Sequence, residues 1–199
     1  MIKTSRFELI LSLLFAIQWI LWAISPISRH DWLLENVLVF VIVAVLVLTY
    51  KNFKFSKLSY FMMFIFLSIH IIGAHYTYSL VPYREWFGLD LNGRNHFDRF
   101  AHFLFGSAWV YPAKEFYFKK IIKSNGWSSF LALQSVATFS FLYELIEWGA
   151  MLYFGGQLGM EYLGTQGDIW DAQKDMLMAA LGGILTIFIT YIWSLKNEN

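Results

Sequence analysis

The sequence predicts an all-α fold, a polytopic bundle of transmembrane helices, and three observations carry that expectation. The 199-residue chain is 58% hydrophobic, 20% aromatic and only 15% charged, against about 25% charged in an average soluble domain. Its apolar residues gather into six runs, each near the ~20 residues that cross a bilayer. Lysines concentrate in two short connections between those runs, as they do on the cytoplasmic side of membrane proteins.

Further properties exclude whole classes. There is no cysteine, so no disulfide framework, thiolate nucleophile or cysteine-based metal site is available. The near balance of 15 basic and 14 acidic residues leaves no dense basic patch, and no nucleic acid partner is expected. A nucleophilic serine elbow, a phosphate-binding glycine loop and a dinucleotide fingerprint are all missing, because the glycines do not fit those spacings.

The runs lie at 7–25, 32–50, 58–76, 98–118, 128–154 and 170–194, within one membrane domain over 1–199. The first follows Lys3 and Arg6 in the manner of a signal peptide. It lacks a small-residue cleavage site and ends in Trp19, Trp22 and Pro26, so a retained span is expected. The second, VLVFVIVAVLVL, is β-branched enough for a buried strand, but an unpaired strand cannot span lipid. With the N-terminus inside, the inner side holds Lys3, Arg6, Lys51, Lys54, Lys57, Lys114, Lys119, Lys120, Lys123 and Lys196. The outer side holds Arg29, Arg84, Arg94, Arg99 and Lys174. Ten against five predicts cytoplasmic termini and a cell inner-membrane location. Outside the spans, the glycine-rich stretch at 155–169 is expected to fold back over the bundle mouth as a lid.

This topology leaves only Glu8, Glu115 and Glu198 inside and sends the other eleven acids and all five histidines outward. Asp98 and His102 are four apart and share a helix face; Glu144 and Glu147 do so at three apart. Asp168, Asp171 and Asp175 form an acidic stripe at the start of the sixth span, where a helix N-terminus favours negative charge. His70 and His75, five apart, do not share a face and read as hydrogen-bonded interface residues. Ionisable groups inside spans are costly unless partnered, and they mark functional sites by default. Carboxylates and histidines converging from several helices are how helical bundles build metal sites. The expected ligands are His102, Glu144, Asp98 and Asp171, with Glu147 and Asp175 as bases, and a divalent metal, zinc slightly ahead, as cofactor. Arg94 and Arg99 are the expected contacts for an anionic group. The plain alternative is that Arg94, Arg99 and Lys174 neutralise the acids as ion pairs that lock helix packing. In the last span, Ala179 and Gly182 within AALGGIL are expected to permit close helix approach.

The strings HIIGAHYTYSLVPY, GRNHFDRFAHFLFG, FLYELIEW and GTQGDIWDAQKDM resemble the YjdF-like family of small bacterial inner-membrane proteins over nearly the whole chain. The order Asp-Arg-x-x-His-Phe, a glutamate in the next span, then Asp-x-x-Asp-x-x-x-Asp and two glycines is similar, more distantly, to VanZ-like membrane proteins, which are linked with resistance to teicoplanin-type antibiotics. On that likeness Asp98, Arg99, His102, Glu144, Asp171 and Asp175 carry the shared pattern. The VanZ-like pattern is expected to be more variable at Asp175, and the paired histidines of the third span depart from it. The resemblance implies a location and an architecture and no particular reaction.

Three functions are therefore expected in order of preference. The first is an outward-facing site, metal-bound, that acts on or binds an envelope lipid or lipid-linked headgroup, with membrane lipid as partner. The second is a proton- or cation-coupled transporter or lipid translocator, working as a homo-oligomer; the inner half offers few intramembrane charges, no paired broken helices and no inverted repeat, which argues against it. The third is a structural or regulatory membrane protein without turnover.

Overall fold

The computed structural model describes residues 5–90, 92–156, 159 and 163–197. Lys3, Glu198 and part of the expected lid at 155–169 lie outside the described residues. The fold is all-helical among those residues, with six long helices and one short one. They are α1 (Arg6–Trp22), α2 (Arg29–Thr49), α3 (Lys57–His75), α4 (Tyr83–Trp86), α5 (Phe97–Lys120), α6 (Asn125–Phe154) and α7 (Asp171–Asn197).

Serines start four of the long helices. The hydroxyls of Ser5, Ser28, Ser56 and Ser124 accept from the backbone N–H three residues on, and Ser5 with Glu8 completes a capping box. The run at 32–50 is helical as expected, although its helix begins at Arg29 and so takes Asp31 into its first turn.

Four helices, α2, α3, α6 and α7, are long and apolar enough to cross a membrane. The other two long helices differ for visible reasons. Helix α1 has 17 residues, about 26 Å at ~1.5 Å per residue and slightly under the ~30 Å hydrocarbon core. Helix α5 carries Asp98, Arg99, Lys114, Glu115, Lys119 and Lys120. Large apolar side chains cover the outside, among them Val37, Phe40, Val41, Val45 and Leu48 on α2 and Leu177, Leu181, Ile184 and Phe188 on α7. Such a belt is costly in water and suits a hydrocarbon solvent.

Helix α5 is the centre of the bundle. It packs against α3, α6 and α7, while α1 and α2 lean on α3. The α5–α7 seam is closest. A Cβ on Gly106 would collide with the Ala179 carbonyl, and one on Gly182 with the Phe103 carbonyl, so small residues bring the two backbones together. The expectation for Ala179 and Gly182 is met, with Gly106 as the partner on the facing helix. Two apolar clusters fill the middle, one around Val39, Phe66, Leu67, Ile71 and Ala108, the other around Val110, Ala132, Val136 and Ala179.

Polar groups occupy the two ends. At one pole Glu8 accepts from Tyr50 at 2.5 Å and pairs with Lys54 at 3.1 Å, and Glu115 takes hydrogen bonds from Ser56 and Ser59 and pairs with Lys119 at 2.6 Å. This basic pole contains the lysine-rich connections. The opposite, acidic pole gathers the starts of α2, α5 and α7 and the ends of α3 and α6.

Gly182→Leu is expected to lower stability by about 1–3 kcal/mol through overpacking of the α5–α7 seam, read as a lower thermal midpoint in detergent. Gly126→Ala, where an added Cβ meets nothing within 4 Å, is expected to leave the midpoint unchanged or slightly raised.

Candidate functional site

The first turn of α7 presents Asp171 and Asp175 on one face, toward the first turn of α5 with Asp98. Single carboxylate oxygens of Asp98, Asp171 and Asp175 all lie within 4.8 Å of one another. His102, one turn below Asp98, has its Nε2 3.7 Å from Asp98 Oδ1 and 3.4 Å from Glu144 Oε1 on α6. Three helices thus bring five of the expected residues together. All are buried, Asp175 most completely at 1% exposure. Glu144 Oε1 and Asp175 Oδ1 have no hydrogen-bond partner among the described residues.

Glu147, a turn further along α6, faces a different neighbourhood. It lines a cavity of about 10 Å³ together with Asp31, Glu35, Thr77, Tyr78, Asp98 and Gly164. Tyr143 donates from its hydroxyl to Glu35 Oε2 at 2.6 Å. His70 bonds the Glu35 carbonyl through Nε2 at 3.1 Å, so that nitrogen carries the proton and Nδ1 accepts from the Tyr78 hydroxyl at 2.5 Å. His75 bonds the Trp22 carbonyl at 2.9 Å. Both histidines are interface residues, as their spacing predicts.

The expected anion contacts are engaged inside the protein. Arg94 pairs with Asp171 and donates to the Thr165 carbonyl. Arg99 lies 2.5 Å from Asp168 and 3.2 Å from Asp171, with its Nε 4.0 Å from Asp175. Lys174 reaches Asp168 at 2.6 Å. The ion-pair alternative therefore describes the rim, while Asp98, His102 and Glu144 sit beneath it.

This rim also stitches the two outer connections together. Asn95 N–H donates to Gln166 Oε1 at 2.9 Å, and the Gln166 amide returns a bond to the Asn95 carbonyl at 3.0 Å. Arg84 binds the carbonyls of Asn92, Gly93 and Arg94. Gly164, with φ +62, lets the second connection pass over Asp98. The described part of 155–169 does fold back over the mouth.

Electrostatics at the rim follow from these partners. Hydrogen bonds from Lys174, the Trp170 N–H and Arg99 hold the Asp168 carboxyl well below the usual carboxylate range. Partial burial, with Arg99, Arg94 and Arg84 nearby, lowers His96 from the ordinary histidine value.

Sequence reasoning missed Asp31, Glu35, Thr77, Tyr78 and Tyr143. Asp31 and Glu35 carry the same four-residue spacing as Asp98 and His102, a signal obscured by starting the second span at 32. For Thr77 there is no sequence signal.

Helices clad in apolar side chains around buried polar ends define an integral membrane protein. The chain belongs to the family described as "Predicted membrane protein (DUF2238)", which matches residues 7–196. It is similar to the inner membrane protein YjdF of Escherichia coli (strain K12), with 36% identity over 171 residues, covering 82% of this chain and 80% of that protein. No solved structure matches it.

Asp168→Asn is expected to lower the thermal midpoint at pH 7. A depressed carboxyl contributes stability above its unfolded pKa of about 4 and loses it as pH falls through the lower folded value. The wild-type advantage should therefore be constant from about pH 8 to pH 5 and shrink only below about pH 4, as followed by thermal unfolding across that range.

Proposed function

We propose that this protein is a six-span inner-membrane protein, both termini cytoplasmic, whose acidic pole faces outward and holds a divalent cation that binds an anionic lipid headgroup. The convergence of Asp98, Asp171 and Asp175 carries this reading. Three carboxylates at such short range repel one another; Arg94 and Arg99 pair with Asp171 at the rim, and Arg99 comes no nearer than 4.0 Å to Asp175. A cation beneath the rim would neutralise the remainder and take up Glu144 Oε1 and Asp175 Oδ1, neither of which has a hydrogen-bond partner among the described residues. Zinc suits the set if His102 joins the carboxylates as a ligand; a harder ion suits the carboxylates alone.

Lipid as partner is supported by a groove of about 440 Å³ between His96, Arg99, Phe100, Phe103 and Met178. Its wall is almost wholly apolar, and Arg99 is one of its lining residues. An acyl chain fits such a wall, and a phosphate would compete with Asp168 for Arg99, which offers a planar fork of donors. With the cation polarising a phosphoester oxygen, Asp175 would be the base that activates water for its hydrolysis, while Glu147 lines the neighbouring cavity with Asp31 and Glu35. A transport pathway is less well supported, because two apolar clusters separate the poles.

Two experiments test this reading. Elemental mass spectrometry of the detergent-purified protein should find at least one divalent ion per chain, with about one fewer in Asp171→Asn with Asp175→Asn; equal metal in wild type and double variant refutes the cation centre. Because the chain contains no cysteine, single cysteines at Glu85 and Asn52 report topology directly. An impermeant thiol reagent on intact cells should label Glu85→Cys and spare Asn52→Cys, and the reverse pattern would invert the bundle.

A further inference from the structure

Beyond α3 the chain doubles back sharply. Thr77 and Tyr78 both take left-handed backbone, with φ of 51° and 50°, a conformation strained for non-glycine residues. Gly73 makes room for the turn, since a Cβ there would stand 2.6 Å from the Tyr78 ring, and the Tyr78 N–H donates to the Gly73 carbonyl at 2.8 Å. The strained turn places Thr77 on the wall of the cavity shared by Asp31, Glu35, Asp98 and Glu147. Its hydroxyl is deeply buried, at 3% exposure, and has no hydrogen-bond partner among the described residues. Burying a hydroxyl unsatisfied is costly, because it gives up its bonds to water without replacement. A buried, unsatisfied hydroxyl on a residue that lines the same cavity as four carboxylates points to a ligand held between them.

We propose that Asp31, Glu35, Glu147 and Thr77 form a second cation site, for a hard divalent ion, which shares Asp98 with the Asp98–Asp171–Asp175 centre. The cavity, about 10 Å³, has the room that one water or one ion needs. Its polar lining is carboxylate, hydroxyl and phenol, and an all-oxygen set selects magnesium, manganese or calcium over zinc. No imidazole competes, because His70 commits both ring nitrogens to Glu35 O and the Tyr78 hydroxyl. The guanidinium groups at the rim serve the other cluster, pairing with Asp168, Asp171 and Asp175. Asp98 belongs to both clusters and is placed to bridge their ions, as carboxylates do in two-metal sites.

The test is Mn²⁺ binding to the full chain in detergent, with free ion counted by electron paramagnetic resonance. Two ions per chain are expected for wild type. Glu35→Gln, which keeps an oxygen for the Tyr143 hydroxyl, should leave one, and so should Asp175→Asn. Combining them should leave none. Thr77→Val should weaken the site lost in Glu35→Gln roughly tenfold, and Thr77→Ser should restore it, which separates ligand loss from misfolding. A single ion lost with Asp175→Asn and indifferent to both Glu35→Gln and Thr77→Val overturns this site and leaves the first centre standing. A single ion lost with Glu35→Gln and indifferent to Asp175→Asn supports this site and removes the first. No bound Mn²⁺ in wild type overturns both.

Discussion

Confining acids to one end of an apolar bundle is the constraint on which the rest of the structure depends. Asp31, Glu35, Asp98, Glu144, Glu147, Asp171 and Asp175 are all buried there, and ionised carboxylates removed from water are costly without compensating charge. The arginines of the loop between α4 and α5 and of the first α5 turn answer part of that demand at Asp168 and Asp171. Because Arg94 also holds the Thr165 carbonyl, the same charges that neutralise the acids tie the two outer connections over them. Neutralisation and closure are therefore one device, and removing either arginine would loosen both.

The basic pole shows what a purely structural solution looks like. Glu8 and Glu115 are surrounded by donors from tyrosine, serine and lysine, and neither has a carboxylate oxygen left without a hydrogen bond. At the acidic pole Glu144 Oε1, Asp175 Oδ1 and the Thr77 hydroxyl have no hydrogen-bond partner among the described residues. Packing alone would select saturated carboxylates at both ends, since an unsatisfied buried polar atom costs more than a satisfied one contributes. The asymmetry is what separates a site from a scaffold in this bundle.

Much of this was legible in the sequence because its signals are local. Apolar runs with serine caps mark the helices, and three- and four-residue spacings put Asp98 with His102, Glu144 with Glu147 and Asp171 with Asp175 on common faces. Even the β-branched second run is helical, as lipid requires. What spacing cannot provide is which faces meet. Glu144 and Glu147 share a helix and a charge, yet one turns to His102 and the other to Asp31 and Glu35. Arg94 and Arg99 read equally well as ligand contacts or as ion-pair partners until the loop is folded over them. Thr77 depends on a left-handed turn that no pattern of apolar residues announces.

The α5–α7 seam links the packing of the bundle to its chemistry. Helix α5 carries Asp98, Arg99 and His102 in its first two turns and Gly106 one turn below; α7 carries Asp171 and Asp175 and, further down, Ala179 and Gly182. Glycine against carbonyl allows no slack, so the contacts of Gly106 with Ala179 and of Gly182 with Phe103 fix how far one helix slides along the other. A slip of one helical turn is about 5.4 Å, larger than the 4.8 Å within which the three aspartates converge. Residues that never touch the acids thus determine whether the acids meet, and the small residues of α7 are as much a part of the site as its carboxylates.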